Sequence, residues 1–152
     1  MLLSELLSVG RVKVPLGSRT KNDVLQELVA LIVDGRDALN AAPILSAVRE
    51  RELELTTGIG AGIAIPHGRT PLVNQLVVAA GVASSPIEYE SLHGQPVSLF
   101  FLLVGPESAS GAHVKALSRI SRLLRRDVLR RQLIAAANAE AFLALVRSAE
   151  AA

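Results

Sequence analysis

The chain has 152 residues, half of them hydrophobic, with three histidines, no cysteine and a formal net charge of +2. That length and apolar content describe one globular domain over residues 1–152, able to bury a core, and exclude a disordered chain. Without cysteine there are no disulfides and no thiolate chemistry, and so small a net charge carries no signature of nucleic-acid binding.

The start, Met1-Leu2-Leu3-Ser4-Glu5, lacks the basic residues of a secretory signal, and no apolar run reaches the length of a membrane span. A cytoplasmic protein without membrane insertion is expected. Val12, Val14 and Leu16 alternate with other residues, which predicts a short strand. Thr20 opens a helix with Asp23 three residues on, and Val24, Leu25, Leu28, Val29 and Ile32 form its apolar face. Asp34-Gly35 is expected to end it. Asn40 is the expected N-cap of a second helix, with Pro43 in its first turn and Ile44, Leu45 and Val48 inward. Residues 57–65 read as a turn feeding a short extended segment.

Residues 76–83 and 97–104 are apolar runs of strand length, and the second has no polar residue after Ser98. A strand without polar alternation is buried on both faces, so helices must cover both sides of the sheet. Pro86 and Gly94-Gln95-Pro96 are expected in loops, as are residues 106–111. Residues 112–125, 127–136 and 138–148 are expected helices, the first with Leu117, Ile120, Leu123 and Leu124 inward and the last capped by Asn138. The interleaved pattern predicts an α/β three-layer sandwich, a mixed β-sheet with helices on both faces.

The candidate chemistry centres on histidine. In Thr57-Gly58-Ile59-Gly60-Ala61-Gly62-Ile63-Ala64-Ile65-Pro66-His67-Gly68, a single imidazole ends an apolar run between a proline and a glycine. Imidazole is the side chain whose unperturbed pKa lies near neutrality, which makes His67 the candidate nucleophile. Gly68 would let a backbone or a phosphate come close. His113 falls at the expected start of a helix, where unpaired N–H groups and the helix dipole suit an anion. Arg51 supplies a permanently charged fork that matches phosphate oxygens. A turn at His67 and ordinary polar residues at helix ends is the alternative reading of the same spacing. There is no GxxxxGK[ST] loop for a nucleotide and no HExxH-like spacing for a metal, so neither a cofactor nor a metal is expected.

Arg51-Glu52, then Thr57-Gly58-Ile59-Gly60, then Gly62-Ile63-Ala64-Ile65-Pro66-His67-Gly68 closely resembles the phosphorylation-site region of enzyme IIA domains. These are the fructose/mannitol class of the bacterial phosphotransferase system, and the chain is most similar to the nitrogen-regulatory type. Gly94-Gln95-Pro96-Val97 and His113-Val114-Lys115-Ala116-Leu117-Ser118-Arg119-Ile120-Ser121 resemble the family's second histidine region. The resemblance implies that His67 is the phosphoryl acceptor, through Nε2, with His113 as supporting histidine and Arg51 near the phosphate. It implies an HPr-type phosphohistidine protein as donor. It further implies either a regulator whose phosphorylation state controls binding to potassium-transport or sensor-kinase proteins, or a sugar-uptake subunit passing phosphate to a IIB domain. With no IIB or IIC region in the chain, the regulator is expected; a separate fructose or mannitol IIA subunit and a non-phosphorylated interaction domain are the rivals. The sequence departs from the family pattern at Thr56, where serine is common, and at His93, where an acidic residue is common; His93 is therefore read as a surface loop residue.

Arg119, Arg122, Arg125, Arg126, Arg130 and Arg131 crowd together with Asp127 the nearby acid. A solvated helix face is the expected reading, and a docking patch for an acidic partner is its rival.

Overall fold

Two long apolar strands organise the molecule, and the computed structural model describes residues 1–33 and 41–151. Strands β5 (Val77–Ile87) and β6 (Val97–Gly105) pair antiparallel at the middle of a mixed sheet. β1 (Val12–Leu16) runs parallel to β5 on one side. On the other side of β6 lie β3 (Ile63–Ala64) and β4 (His67–Arg69), both parallel to it, and β2 (Gly58–Gly60) pairs antiparallel with β3.

Among the described residues, six helices cover the sheet. Along β6, Leu99, Phe101 and Leu103 point into one cluster with Ile120, Leu133 and Phe142 of helices α4 (Ser110–Leu123), α5 (Asp127–Ile134) and α6 (Ala139–Ala151). Leu3 of the short α1 (Leu3–Leu6) joins the same cluster. Phe100, Leu102 and Val104 point the other way, into a second cluster with Leu28 and Ile32 of α2 (Lys21–Val33) and Ile44 and Val48 of α3 (Ala41–Glu54). Both faces of β6 therefore contribute, at about 1.5–3 kcal/mol for each large side chain fully withdrawn from water. This is the three-layer α/β sandwich with a mixed sheet that the unbroken apolar runs predict.

Several expectations need correction. Pro86 lies within β5, not in a loop. β1 pairs no further than Ala83 and the β5–β6 register shifts between Val82 and Ile87, so the proline's missing N–H leaves no ladder bond unmade. Residues 57–65 form the β2–β3 hairpin, whose turn carries Gly60, Ala61 and Gly62 at φ 91°, 55° and 77°. Glycine is suited to two of those three positions because it has no Cβ to clash there. Residues 107–109 form a single 3-10 turn and α4 starts at Ser110, so the expected 106–111 loop is largely helical. The expected helix over 112–125 stops at Leu123 and the one over 127–136 stops at Ile134, while the third runs from Ala139 to Ala151.

The caps are as expected at two helices: Thr20 Oγ1 accepts from the Asp23 N–H at 3.2 Å, and Asn138 Oδ1 from the Ala141 N–H at 2.8 Å. Pro43 lies in the first turn of α3. The expected stop at Asp34-Gly35 and the expected cap at Asn40 lie outside the described residues. Helix α1 has no counterpart in the sequence reading. Its first N–H groups, of Leu3 and Ser4, both donate at 2.8 Å to the carboxylate of Glu150 in α6.

Candidate functional site

His67 stands where the edge of β6 changes partner. β3 pairs with Leu99 and Phe100, then β4 pairs His67 with Leu103, Gly68 with Val104 and Arg69 with Gly105. Between them, the Ile65 N–H donates to the Thr57 carbonyl at 3.0 Å, and the Pro66 carbonyl accepts from the Leu103 N–H at 3.1 Å. The Ile65 carbonyl takes Nδ1 of His67 at 2.9 Å. A carbonyl only accepts, so Nδ1 carries the proton and Nε2 keeps the free lone pair.

Gly68 explains how α3 comes so close. A Cβ built there would lie 3.1 Å from both the backbone nitrogen and Cγ2 of Val48. The neighbour that Gly68 admits is thus a helix backbone. One turn further along α3, Arg51 reaches the mouth of the cleft, where its Nη1 donates to the Leu55 carbonyl at 2.8 Å.

The cleft measures about 450 Å³ between α3, β4 and the start of α4. His67, His113 and Arg51 all line it, so the structure brings the three expected residues together. His113 sits in the first turn of α4, is only 4% exposed, and meets the His67 ring edge-on, with centroids 5.2 Å apart and planes at 71°. Its Nδ1 is buried without a hydrogen-bond partner among the described residues.

Both imidazoles are held neutral. Burial lowers the His113 pKa to about 4, helped by the positive charge that His67 and Arg69 would place beside it. Burial also lowers His67; the bond to Ile65 opposes this, Arg51 and Arg69 reinforce it, and Glu52 counters it. A neutral His67 has the lone pair that a cationic one lacks.

Two further residues that the sequence reading missed support the site, one in the cleft wall and one behind it. Arg69 lines it with Glu107, and its Nη1 lies 3.2 Å from the Glu107 carboxylate. The signal was available: side chains at i and i+2 of a strand share a face, so Arg69 follows from His67 once β4 is known. Glu52 is the second, buried on another side of α3. Its carboxylate accepts from the Thr57 N–H at 2.9 Å, the Thr57 hydroxyl and the Tyr89 hydroxyl at 3.1 Å, and it pairs with Lys21 at 3.0 Å. Burial alone would raise this carboxyl's pKa, but the bonds from Thr57 and Lys21 outweigh it and hold the group ionised. Glu52 thereby fastens the end of α3 to Thr57, whose carbonyl in turn fixes Ile65.

His93 is exposed, and it does not line the cleft. The arginine cluster divides. Arg119 pairs with Glu150 at 3.3 Å, Arg126 donates to the Ala149 carbonyl at 3.2 Å, and Arg130 donates to the Leu124 carbonyl and Asp127, each at 2.7 Å. Arg122 and Arg125 are exposed. Glu150, whose side chain is 1% exposed, is a second nearby acid beside Asp127. Among the described residues, no group of three His, Asp or Glu side chains could hold a metal, and no helix is long and apolar enough to cross a membrane.

The family described as "Phosphoenolpyruvate-dependent sugar phosphotransferase system, EIIA 2" matches residues 5–149. The Nitrogen regulatory protein of Bradyrhizobium diazoefficiens is 36% identical over 141 residues, covering 93% of this chain and 92% of that protein. The PTS system fructose-specific EIIABC component of Bacillus subtilis is 36% identical over 146 residues, 96% of this chain, but the chain spans 23% of that protein's length. Among solved structures, the nitrogen regulatory protein IIA-Ntr of Neisseria meningitidis superposes with a TM-score of 0.87 at 29% identity, covering 95% of this chain and 98% of that one. The mannitol IIA of Escherichia coli has a TM-score of 0.78 at 16% identity, over 92% of this chain and 98% of that one, a likeness of fold.

Proposed function

We propose that this chain, which belongs to the EIIA 2 family of the phosphoenolpyruvate-dependent sugar phosphotransferase system, carries a phosphoryl group on Nε2 of His67. The observation that carries the reading is the bond from Nδ1–H to the Ile65 carbonyl, which leaves Nε2 free at a cleft shared with His113 and Arg51.

The chemistry follows from those groups. The Nε2 lone pair attacks the phosphorus of a donor phosphohistidine on an HPr-type protein. A new N–P bond forms as the donor's N–P bond breaks, and that electron pair stays on the donor ring. The transition state is loose and its charge sits on the equatorial oxygens, so positioning and electrostatics do most of the catalysis. Arg51 offers guanidinium N–H groups to those oxygens, and His113 offers an imidazole N–H. The ring of His67 gains positive character as the bond forms, and the Ile65 carbonyl stabilises it through Nδ1–H. Neutral imidazole is the nucleophilic form, so the low pKa of both rings keeps the site competent at neutral pH.

Between the two roles known by name among its relatives, we favour the regulator. Similarity supports it: the Neisseria IIA-Ntr superposes with a TM-score of 0.87 at 29% identity, against 0.78 at 16% for the mannitol IIA. It would act in the cytoplasm, binding a target protein in one phosphorylation state and releasing it in the other. The sugar-uptake reading draws on the fructose-specific relative and on a likeness of fold to the mannitol IIA in its complex with phosphorylated IIB. The test is incubation with phosphoenolpyruvate, enzyme I and an HPr-type donor, followed by intact-mass measurement. One added phosphoryl group is expected, absent in His67→Ala; equal incorporation in that variant overturns the assignment. Prompt onward transfer to a fructose IIB domain would favour sugar uptake over regulation.

A further inference from the structure

Arg69 links the reactive histidine to the start of α4. It lies two residues past His67 on β4 and faces the same cleft. Its Nη1 donates to the Glu107 carboxylate at 3.2 Å and also to the Ser110 hydroxyl, which donates to the Glu107 carbonyl at 2.6 Å. The end of β4 is thus tied to the 107–109 turn and to the first residue of the helix that carries His113. The backbone meets there too, since the Thr70 N–H donates to the Gly105 carbonyl at 3.0 Å.

The tie is lopsided. The Glu107 side chain is 82% exposed, whereas that of Arg69 is 31% exposed. An ion pair with so exposed a carboxylate is weak, because water and salt compete for it. A phosphoryl group on His67 would carry more charge, offer several acceptor oxygens and lie in the same cleft. A guanidinium binds such a group in a bidentate fork, more strongly than it binds a solvated carboxylate. Arg51 differs in where its bond leads: it donates to the Leu55 carbonyl, one residue past the end of α3, at 2.8 Å, and so ties no second element to its helix. Of the two cleft arginines, Arg69 is the one whose turn toward the phosphoryl group loosens a second element.

We propose that Arg69 exchanges partners on phosphorylation: it holds Glu107 and Ser110 in the resting protein, then turns to the phosphoryl oxygens on His67 and releases the start of α4. This inference rests on the phosphohistidine reading. No covalent bond changes in the exchange; one ion pair and one hydrogen bond are traded for contacts to the phosphoryl group. The phosphorylation state of a half-buried ring is thereby reported at an exposed turn, through differential binding by one side chain.

The test uses the full chain phosphorylated through enzyme I and an HPr-type donor, as wild type, Arg69→Gln, Arg69→Lys and Glu107→Gln. Two readouts follow: the phosphorus NMR titration of the phosphohistidine, and amide hydrogen exchange over residues 107–113. In the wild type, exchange there should quicken about threefold or more on phosphorylation. In Arg69→Gln it should be fast beforehand and unchanged by phosphorylation, with the phosphoryl titration moved to higher pH for want of the adjacent positive charge. Arg69→Lys should restore much of the titration, because charge is retained, and Glu107→Gln should show fast exchange with a wild-type titration. A wild type that takes up phosphate on His67 while Arg69→Gln titrates and exchanges as it does would overturn the partner exchange alone. A wild type that takes up no phosphate on His67 would overturn the carrier reading and this inference with it.

Discussion

Arg51 and Glu52 are neighbours on α3, yet they serve opposite environments. Arg51 is half-buried at the cleft, while Glu52 is 7% exposed on another side of the helix. Both carboxylate oxygens of Glu52 are occupied, by Thr57, Tyr89 and Lys21, so that group has no capacity left for a ligand. The cleft is incomplete by contrast: Nε2 of His67 is free and Nδ1 of His113 is unpartnered among the described residues. Polar satisfaction separates the two regions. The saturated network holds a backbone in place, and the unsaturated cleft can accept a charged group.

Breaking the saturated side should have the largest effect on stability. Glu52→Ala leaves Lys21, the Thr57 N–H and two hydroxyls without their acceptor, and about 3–5 kcal/mol of unfolding free energy should be lost. Urea denaturation measures it; a loss below about 1 kcal/mol would mean that the network is not the anchor described here. Phosphoryl uptake should also slow, because Thr57 no longer fixes Ile65.

His113→Asn should act on the other side. The shorter amide withdraws the N–H donor from the transferring group, which should slow phosphoryl uptake by roughly 10–100-fold while leaving His67 able to react. The same variant should change the acid profile of stability. In the wild type the unfolded chain binds a proton near pH 6.5 that the folded His113 refuses until about pH 4. Stability is therefore full above the unfolded pKa and falls as pH drops through that window, by on the order of 3 kcal/mol from this group. Stability curves at pH 7, 5.5 and 4.5 should be flatter for His113→Asn; parallel curves would remove the argument for a buried neutral imidazole.

The smallest effect should come from the arginine cluster. Arg122 is exposed, so Arg122→Glu should change stability by no more than about 0.5 kcal/mol. If it also leaves the uptake rate from the HPr-type donor unchanged at low salt, the exposed arginines are a solvated face. A slower rate would mark them as a docking patch.

The sequence made some of this legible and hid the rest for physical reasons. The unbroken apolar runs before Ala83 and Gly105 state that both sheet faces are covered, because each face of β6 meets its own set of helices. That His67, His113 and Arg51 share one cleft accords with the motif and its resemblance. Strand β4 was not: three residues containing histidine and arginine have no strand pattern, and their conformation comes from the partner that β6 provides. Without β4, the shared face of His67 and Arg69 could not be read. The Glu52 network was hidden because it joins residues 21, 52, 57 and 89, which only the fold brings together. Glu150 capping α1 is the same case across nearly the whole chain.

On the proposed reading, Nε2 of His67 carries the phosphoryl group while Nδ1–H remains on the Ile65 carbonyl. Nitrogen NMR of ring-labelled histidine in the phosphorylated protein tests it most directly, by one-bond coupling to phosphorus. Coupling is expected at Nε2 of His67 alone, with Nδ1 still protonated. Coupling at Nδ1, or on the ring of His113, would contradict it.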